Sequence, residues 1–316
     1  MNLRELQYLV ALADCRNFGR AAELCLVSQP TLSTQLRKLE EELGVTLIER
    51  APRNVMLTPA GVDAVERARR ILNEVEQLKE ATRLRRERDT GTVRIGIFPT
   101  LGPYLLPHTV PQLRKQLPHL ELMLVEEKSN TLLARLIEGK LDAVIMALPV
   151  QNAQLQCEPL FEEPFLLAVP QDHPLATRDK LTLNELDHYD LMLLEDGHCL
   201  RDQALEVCRL SGMRETSSFR ATSLETLRQM VMAGSGITLL PKLAAGSPQP
   251  HADGIRFLAF SDAAGQPPPG RQIGMFWRKS SALGGLLREI ATLFRKTAQE
   301  LLQEQENDAS HKPLPP

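Results

Sequence analysis

The chain has 316 residues, is 43% hydrophobic and 24% charged, and carries a formal net charge of −3. This length predicts two or three domains, and the nearly balanced charge gives no argument for nucleic-acid binding by itself. No apolar run is long enough to span a bilayer and the N-terminus lacks signal-peptide features, so we expect a cytoplasmic protein.

The five cysteines are scattered and odd in number, which excludes the disulfide framework of a secreted protein. In a reducing compartment, a disulfide is usually transient, catalytic or redox-sensing. No cysteine or histidine pair has the spacing of zinc ligands, and we expect neither a metal nor another cofactor.

The N-terminal region has the pattern of a helix-turn-helix. Helical periodicity covers residues 2–13, a short helix "FGRAAELC" follows the capping Asn17, and a third helix runs from the capping Ser28 to Gly44. Only "LVS" separates the second helix from the third. The polar face of the third helix begins with hydroxyls and amides and continues with basic groups, which suits base edges and phosphates. A merely solvated face is the alternative, but the frame around "SQPTLS" favours DNA.

A hairpin and a long helix follow. "VTLIERAPRNVMLT" predicts a small wing with Arg50 and Arg53 near its tip, where arginines hold phosphates or enter the minor groove. Thr58 caps a helix that we expect to reach about Arg88. Its narrow apolar seam indicates pairing with the same helix of a second subunit; the seam comprises Ala64, Ala68, Ile71, Val75 and Leu78.

The segment "AAELCLVSQPTLSTQLRKLEEELGVTLIERAPRNVMLTPAG" resembles the winged helix-turn-helix of LysR-type transcriptional regulators, and the resemblance is dense over residues 1–65. It implies that the long helix dimerises the DNA-binding domains and that the rest of the chain is a two-lobed sensor. By matching position, the major-groove residues would be Gln29, Pro30, Thr31, Ser33 and Arg37, and the backbone contacts would be Arg4, Arg50 and Arg53.

The remainder alternates β-rich and helical segments, so the predicted fold class is α/β, with two Rossmann-like lobes behind an all-α winged helix-turn-helix domain. We expect the DNA-binding domain at 1–58, the linker and dimerisation helix at 59–90, and the regulatory domain at 91–302. Lobe I would hold 91–163 and 268–302, and lobe II 164–267. We expect the last helix near 281–302 and a disordered tail at 303–316.

The stretch "EDGHCLRDQALEVC" contains two cysteines on one predicted helix. Cys199 would lie in the first turn, where the helix dipole favours a thiolate and where His198 and Arg201 could add positive charge. Helical geometry places Cys199 and Cys208 about 13 Å apart, whereas a disulfide allows about 7 Å between Cα atoms. A bond between them therefore requires the helix to unwind. Ordinary core packing of both thiols is the alternative that the residues alone leave open.

"LMLLEDGHCLRDQALEVC" and "FRATSLETLRQMVMAGSGITLLP" resemble the hydrogen-peroxide-sensing members of the same family, with similarity over residues 1–243. The resemblance implies that Cys199 is the peroxidatic cysteine and Cys208 its resolving partner. It also implies a peroxide pocket, in which serine replaces the usual threonine at position 129 and the insert "AAGQPPPG" precedes the arginine. The pocket residues are Thr100, Ser129, His198, Arg201, Asp202 and Arg271.

The implied protein is not an enzyme but a homotetrameric activator of antioxidant genes, whose partners are promoter DNA, RNA polymerase, hydrogen peroxide and a reductant such as glutaredoxin. Two alternatives stand beside it. A LysR-type regulator could respond to a small-molecule inducer between the lobes, with incidental thiols. A thiol peroxidase or cysteine hydrolase is the third hypothesis, although such an enzyme has no use for a helix-turn-helix.

Overall fold

The computed structural model describes residues 1–51, 54–84, 91–178, 180–246, 254–262 and 267–311. The chain divides into two compact units, one of Met1–Arg88 with Ile137–Lys140 and the other of Asp89–Leu136 with Leu141–Pro316. Among the described residues, no helix combines the length and apolarity that a membrane span requires.

The first unit is a winged helix-turn-helix. Its elements are α1 (Leu3–Cys15), α2 (Phe18–Leu24), α3 (Gln29–Leu43), the antiparallel strands β1 (Ile48–Ala51) and β2 (Asn54–Leu57), and the long helix α4 (Pro59–Leu84). Asn17 and Ser28 cap α2 and α3 through their side chains, and Gly44 ends α3 in the left-handed conformation at φ 68°. Leu32, Leu36 and Leu39 of α3 are fully buried, which turns the polar face of that helix outward.

The helix α4 exposes part of its predicted seam. Ala68 is buried, whereas the side chains of Ile71 and Leu78 are 42% and 67% exposed. Residues 85–90, where we expected this helix to continue, lie outside the described part. Exposed apolar groups at heptad spacing on a long helix are typical of a surface that pairs with a second helix.

The second unit begins with a parallel sheet flanked by helices. Its first elements are β3 (Gly91–Ile97), α5 (Gly102–Gln116), β4 (Leu120–Glu126), α6 (Ser129–Ile137) and β5 (Ala143–Ala147). Strand β3 pairs in parallel with both β4 and β5. The long strand β6 (Leu155–Pro170) then continues into the other half of the unit.

The other half contains β7 (Lys180–Leu181), β8 (Asp190–Leu194), α7 (Cys199–Ser211), β9 (Arg214–Ala221), α8 (Leu224–Met232), β10 (Thr238–Pro241), α9 (Lys242–Ala245) and β11 (Ile255–Phe260). Strands β8 and β9 are parallel, and β7 is parallel to β11. Strand β12 (Gly270–Arg278) returns to the first half, antiparallel to both β5 and β6.

Strand β6 joins the two halves. Its residues up to Pro164 pair with β12, and from Phe165 onward they pair with β10 and β11. The predicted α/β fold class behind a winged helix-turn-helix is confirmed.

The expected disordered tail is wrong for residues 303–311. The last helix, α10, runs from Gly284 to His311, and Glu306 accepts a 2.7 Å hydrogen bond from Lys242 Nζ at the start of α9. The polar composition of this segment predicted disorder, but the helix continues through it, and the ion pair between Glu306 and Lys242 joins it to α9. Residues 312–316 lie outside the described part.

Candidate functional site

Cys199 is the first residue of α7, directly after a turn that leaves strand β8 at Leu194. Gly197 has φ +90° in this turn, a backbone conformation that L side chains rarely adopt. His198 holds the N-cap position with extended backbone, but its side chain does not cap the helix. The thiol therefore lies at the amino end of a helix, where backbone N–H groups lack helical partners.

Burial decides the protonation state of this thiol. It raises the pKa of Cys199 above its ordinary value, and the charge of Asp202 raises it further. The charge of Arg271, the nearby Ser129 hydroxyl and the backbone N–H of Leu200 lower the pKa but do not outweigh the burial. The structure thus holds Cys199 as a neutral thiol at neutral pH.

The expectation that the helix end, His198 and Arg201 favour a thiolate is wrong for this state of the protein. His198 is itself buried, and burial together with the charge of Lys128 lowers the pKa of its imidazole, so the ring is neutral. Arg201 faces carboxylates instead of the thiol. Sequence periodicity located the helix end but could not show how deeply the fold buries it.

Arg271 of β12 is the cation that acts on the thiol. Its Nη1 donates to Thr100 Oγ1 at 2.8 Å and its Nη2 to the Thr100 carbonyl at 3.0 Å. Its Nε donates to Glu163 Oε2 at 2.8 Å. The guanidinium also stacks over Phe98 at 5.0 Å from the ring centroid. The structure therefore joins two predicted pocket residues, Thr100 and Arg271, and adds Glu163.

Two buried polar atoms of the predicted pocket residues are unsatisfied. His198 Nε2 and Ser129 Oγ have no hydrogen bond of normal geometry among the described residues. The imidazole donates instead to the Thr222 carbonyl, which leaves Nε2 as an acceptor. Ser129 interacts with the Cys199 sulfur and lowers the pKa of that thiol. Buried polar atoms without partners cost stability, so they mark a place for a small polar molecule.

Arg201 and Asp202 follow Cys199 on α7. Arg201 Nη1 and Nη2 donate to the two carboxylate oxygens of Glu215 on β9 at 2.8 and 2.9 Å. Its Nη1 also donates to the Leu194 carbonyl at 3.2 Å, and its Nε lies 2.8 Å from Asp196 Oδ1. The first turn of α7 is thus tied to β8, β9 and the turn before it. Asp202 is exposed and acts on the thiol through its charge alone.

Lys128 was missed by the sequence reasoning. It precedes α6, and its Nζ donates to Glu195 Oε1 at 2.6 Å and to the Asp196 carbonyl at 3.1 Å. These bonds fasten the turn before Cys199 to the neighbouring half of the unit. A lone lysine separated from its partners by more than sixty residues gives no local signal in the sequence.

Cys208 lies on the same helix as Cys199, 5% exposed within the apolar core. Burial and the nearby charge of Glu215 raise the pKa of this thiol to about 11. Both cysteines are free thiols. Because α7 is continuous from Cys199 to Ser211, the helical rise separates the two residues by about 13 Å. The structure therefore holds the pair in a reduced state that cannot bond without local unfolding.

The predicted DNA-facing residues lie on the outer side of the first unit. Arg4 is exposed on α1, Ser33 is half-buried on α3, and the other residues of α3 are exposed, namely Gln29, Pro30, Thr31 and Arg37. Ser28 Oγ and Thr31 Oγ1 are 2.7 Å apart, so the cap orders the start of this face. The side chain of Arg50 and the whole of Arg53 lie outside the described part.

Within the described ranges, no group of three or more histidine, cysteine, aspartate or glutamate side chains could hold a metal ion.

Family comparisons cover nearly the whole chain. The bacterial regulatory helix-turn-helix protein, lysR family, matches residues 3–62, and the LysR substrate binding domain matches residues 86–299. The DNA-binding transcriptional dual regulator OxyR of Escherichia coli (strain K12) is 50% identical over 295 residues, which are 93% of this chain and 95% of the relative.

Solved structures agree. Full-length OxyR from Pseudomonas aeruginosa, a cysteine-to-aspartate mutant, is 38% identical with a TM-score of 0.77, and the match covers 93% of this chain and 95% of that one. A hydrogen-peroxide-bound cysteine mutant of Corynebacterium glutamicum OxyR is 35% identical with a TM-score of 0.67, over 97% and 95% of the two chains.

Proposed function

The chain belongs to the LysR family of bacterial transcriptional regulators, and from that premise we propose that it senses hydrogen peroxide through Cys199 and Cys208 and activates antioxidant genes. Relatives of this similarity carry the names OxyR and hydrogen peroxide-inducible genes activator. The observation that carries the proposal is the half-buried Cys199 thiol, on which Arg271 and Ser129 act, together with the unsatisfied polar atoms of Ser129 and of the preceding residue, His198.

The chemistry runs in two steps. In the proposed reaction a peroxide molecule hydrogen-bonds to Ser129 Oγ, and His198 Nε2 takes the thiol proton and passes it to the departing hydroxide. The thiolate attacks one oxygen, the O–O bond breaks, and Cys199 becomes a sulfenic acid while water leaves. The Cys208 thiol then displaces the sulfenic hydroxyl as a second water. The sum is two thiols and one peroxide giving one disulfide and two waters.

The second step, formation of the disulfide, changes the local structure. The sulfurs cannot meet while α7 is helical, so disulfide formation unwinds the helix and breaks the Arg201 contacts to β8 and β9. A covalent bond thus converts a chemical event into a change of local fold. A dithiol donor such as glutaredoxin resets it by thiol–disulfide exchange.

In the proposed function, the first unit binds DNA. We assign Gln29, Pro30, Thr31, Ser33 and Arg37 to the major groove, with Arg4, Arg50 and Arg53 on the DNA backbone. The assembly is a homotetramer held by the α4 helices and the regulatory domains, and it acts on RNA polymerase at promoters in the cytoplasm. The protein consumes one peroxide per subunit and is not an enzyme.

The test couples DNA binding to oxidation. Binding sites are selected from random DNA with the full chain, and the footprint on a selected site is compared before and after stoichiometric peroxide. We expect the footprint to change for wild type and for Cys157→Ser, but to stay fixed for Cys199→Ser. An identical peroxide-induced change in Cys199→Ser would contradict the proposal.

A further inference from the structure

Glu163 and Arg271 form a fully enclosed ion pair between strands β6 and β12. Arg271 Nη2 lies 2.7 Å from Glu163 Oε2, and both side chains have no exposed surface. Removing two charges from water costs several kcal/mol per ion, so such a pair is a weak source of stability. Its retention beside the reactive thiol points to a role in the chemistry.

The guanidinium of Arg271 contacts both Glu163 and Thr100. On one side its Nε and Nη2 contact a single oxygen of Glu163. On the other side Nη1 and Nη2 donate to Thr100. Arg271 is also the cation that acts on the Cys199 thiol. Any group that fixes Arg271, or offsets its charge, therefore acts on Cys199.

Glu163 is itself held by a third element. Its Oε1 accepts a 2.9 Å hydrogen bond from the backbone N–H of Leu243 in α9. The two carboxylate oxygens thus have separate partners, one on β12 and one on α9. This arrangement leaves the carboxylate little freedom to rotate, and a carboxylate with fixed geometry fixes the guanidinium against it.

We propose that Glu163 is a positioning residue for the oxidation of Cys199: it holds Arg271 against Thr100 and offsets the positive charge of the guanidinium, which weakens the effect of Arg271 on the thiol. This inference rests on the proposed function. Glu163 is not one of the predicted pocket residues, yet it would set how readily Cys199 reacts.

The test measures the pH dependence of Cys199 alkylation by iodoacetamide, followed on the Cys199 peptide by mass spectrometry. Glu163→Gln keeps the size of the side chain and removes its charge, while Thr100 still holds Arg271. We expect the pH at which Cys199 alkylation reaches half its maximal rate, the midpoint, to fall by about one pH unit. The rate at neutral pH rises about threefold, because the gain in thiolate outweighs its weaker nucleophilicity. An unchanged midpoint overturns the proposal.

A matched control removes the same charge one residue away. Glu162 is exposed and accepts a hydrogen bond from Gln272, so Glu162→Gln should leave the midpoint at its wild-type value. If Glu162→Gln lowers the midpoint as far as Glu163→Gln does, the effect is not specific to the buried pair and the proposal fails.

A conservative variant separates charge from folding. Glu163→Asp keeps the carboxylate, so we expect lower thermal stability with a wild-type midpoint. If Glu163→Gln does not fold, a folded Glu163→Asp with a clearly displaced midpoint overturns the proposal alone. Alkylation by iodoacetamide does not depend on peroxide chemistry. If the wild type formed no disulfide with peroxide, the proposed function would be overturned, but the pH dependence of alkylation would still test the role of Glu163.

Discussion

The Cys199 thiol is governed by two opposed effects. Burial raises its pKa, and the nearby Arg271, Ser129 and Leu200 groups lower it by less. A resting thiol that is mostly protonated reacts slowly with general electrophiles. Under the proposed function, the unsatisfied atoms of Ser129 and His198 hold the peroxide and so favour its reaction over that of other electrophiles.

Ser129 offers the sharpest residue-scale prediction. Its unsatisfied hydroxyl is available to hold the peroxide, and losing one hydrogen bond to the peroxide costs about 1 kcal/mol, so we expect Ser129→Ala to oxidise about five- to tenfold more slowly. Ser129→Thr restores the hydroxyl and adds a methyl group that restricts its rotation, so it should react at least as fast as wild type. Stopped-flow measurement of the Cys199 oxidation rate checks both.

A remote serine serves as the control for that series. Ser261 donates its hydroxyl proton to the Leu181 carbonyl, and Ser261→Ala should leave the oxidation rate unchanged. A Ser129→Ala variant as fast as wild type would show that the hydroxyl takes no part in placing the peroxide.

At the scale of elements, helix α7 holds Cys199 in place in the reduced protein, and it has to unwind when the proposed disulfide forms. The Arg201 bonds to Glu215 and Leu194 fasten its first turn. The Lys128 bond to Glu195 fastens the turn before it. Cys208 is packed in the core. Oxidation therefore has to break several fixed contacts, which gives the two states distinct structures.

Hydrogen exchange follows this transition directly. We expect the amides of α7 to be protected in the reduced protein and to lose protection after stoichiometric peroxide, whereas those of α8 stay protected. Cys208→Ser stops the reaction at the sulfenic acid, so its α7 should remain protected. Loss of protection in Cys208→Ser would mean that oxidation of Cys199 alone unwinds the helix.

The sequence predicted these elements to different degrees. Capping residues Asn17 and Ser28 and the leucine stripe located α2 and α3, because such signals act within one or two turns. The same local reasoning found α7, with Cys199 in its first turn. It could not find the Glu163–Arg271 or Lys128–Glu195 pairs, whose members are far apart in the chain, nor the burial that reverses the expected thiolate.

At the scale of the whole molecule, the exposed apolar side chains on α4 are the surface through which we propose that two subunits pair. Ile71 and Leu78 are exposed in the single chain, and their spacing fits a two-helix seam. A dimer through this seam presents two recognition helices to DNA, so half-site spacing depends on how the subunits are arranged.

One measurement tests the central claim most directly. The full-length reduced protein is treated with one equivalent of hydrogen peroxide, blocked, digested without reduction and mapped by mass spectrometry. We expect a crosslinked peptide joining Cys199 to Cys208, present in Cys157→Ser and absent from Cys199→Ser. Both cysteines recovered as free thiols from the peroxide-treated wild type would contradict it.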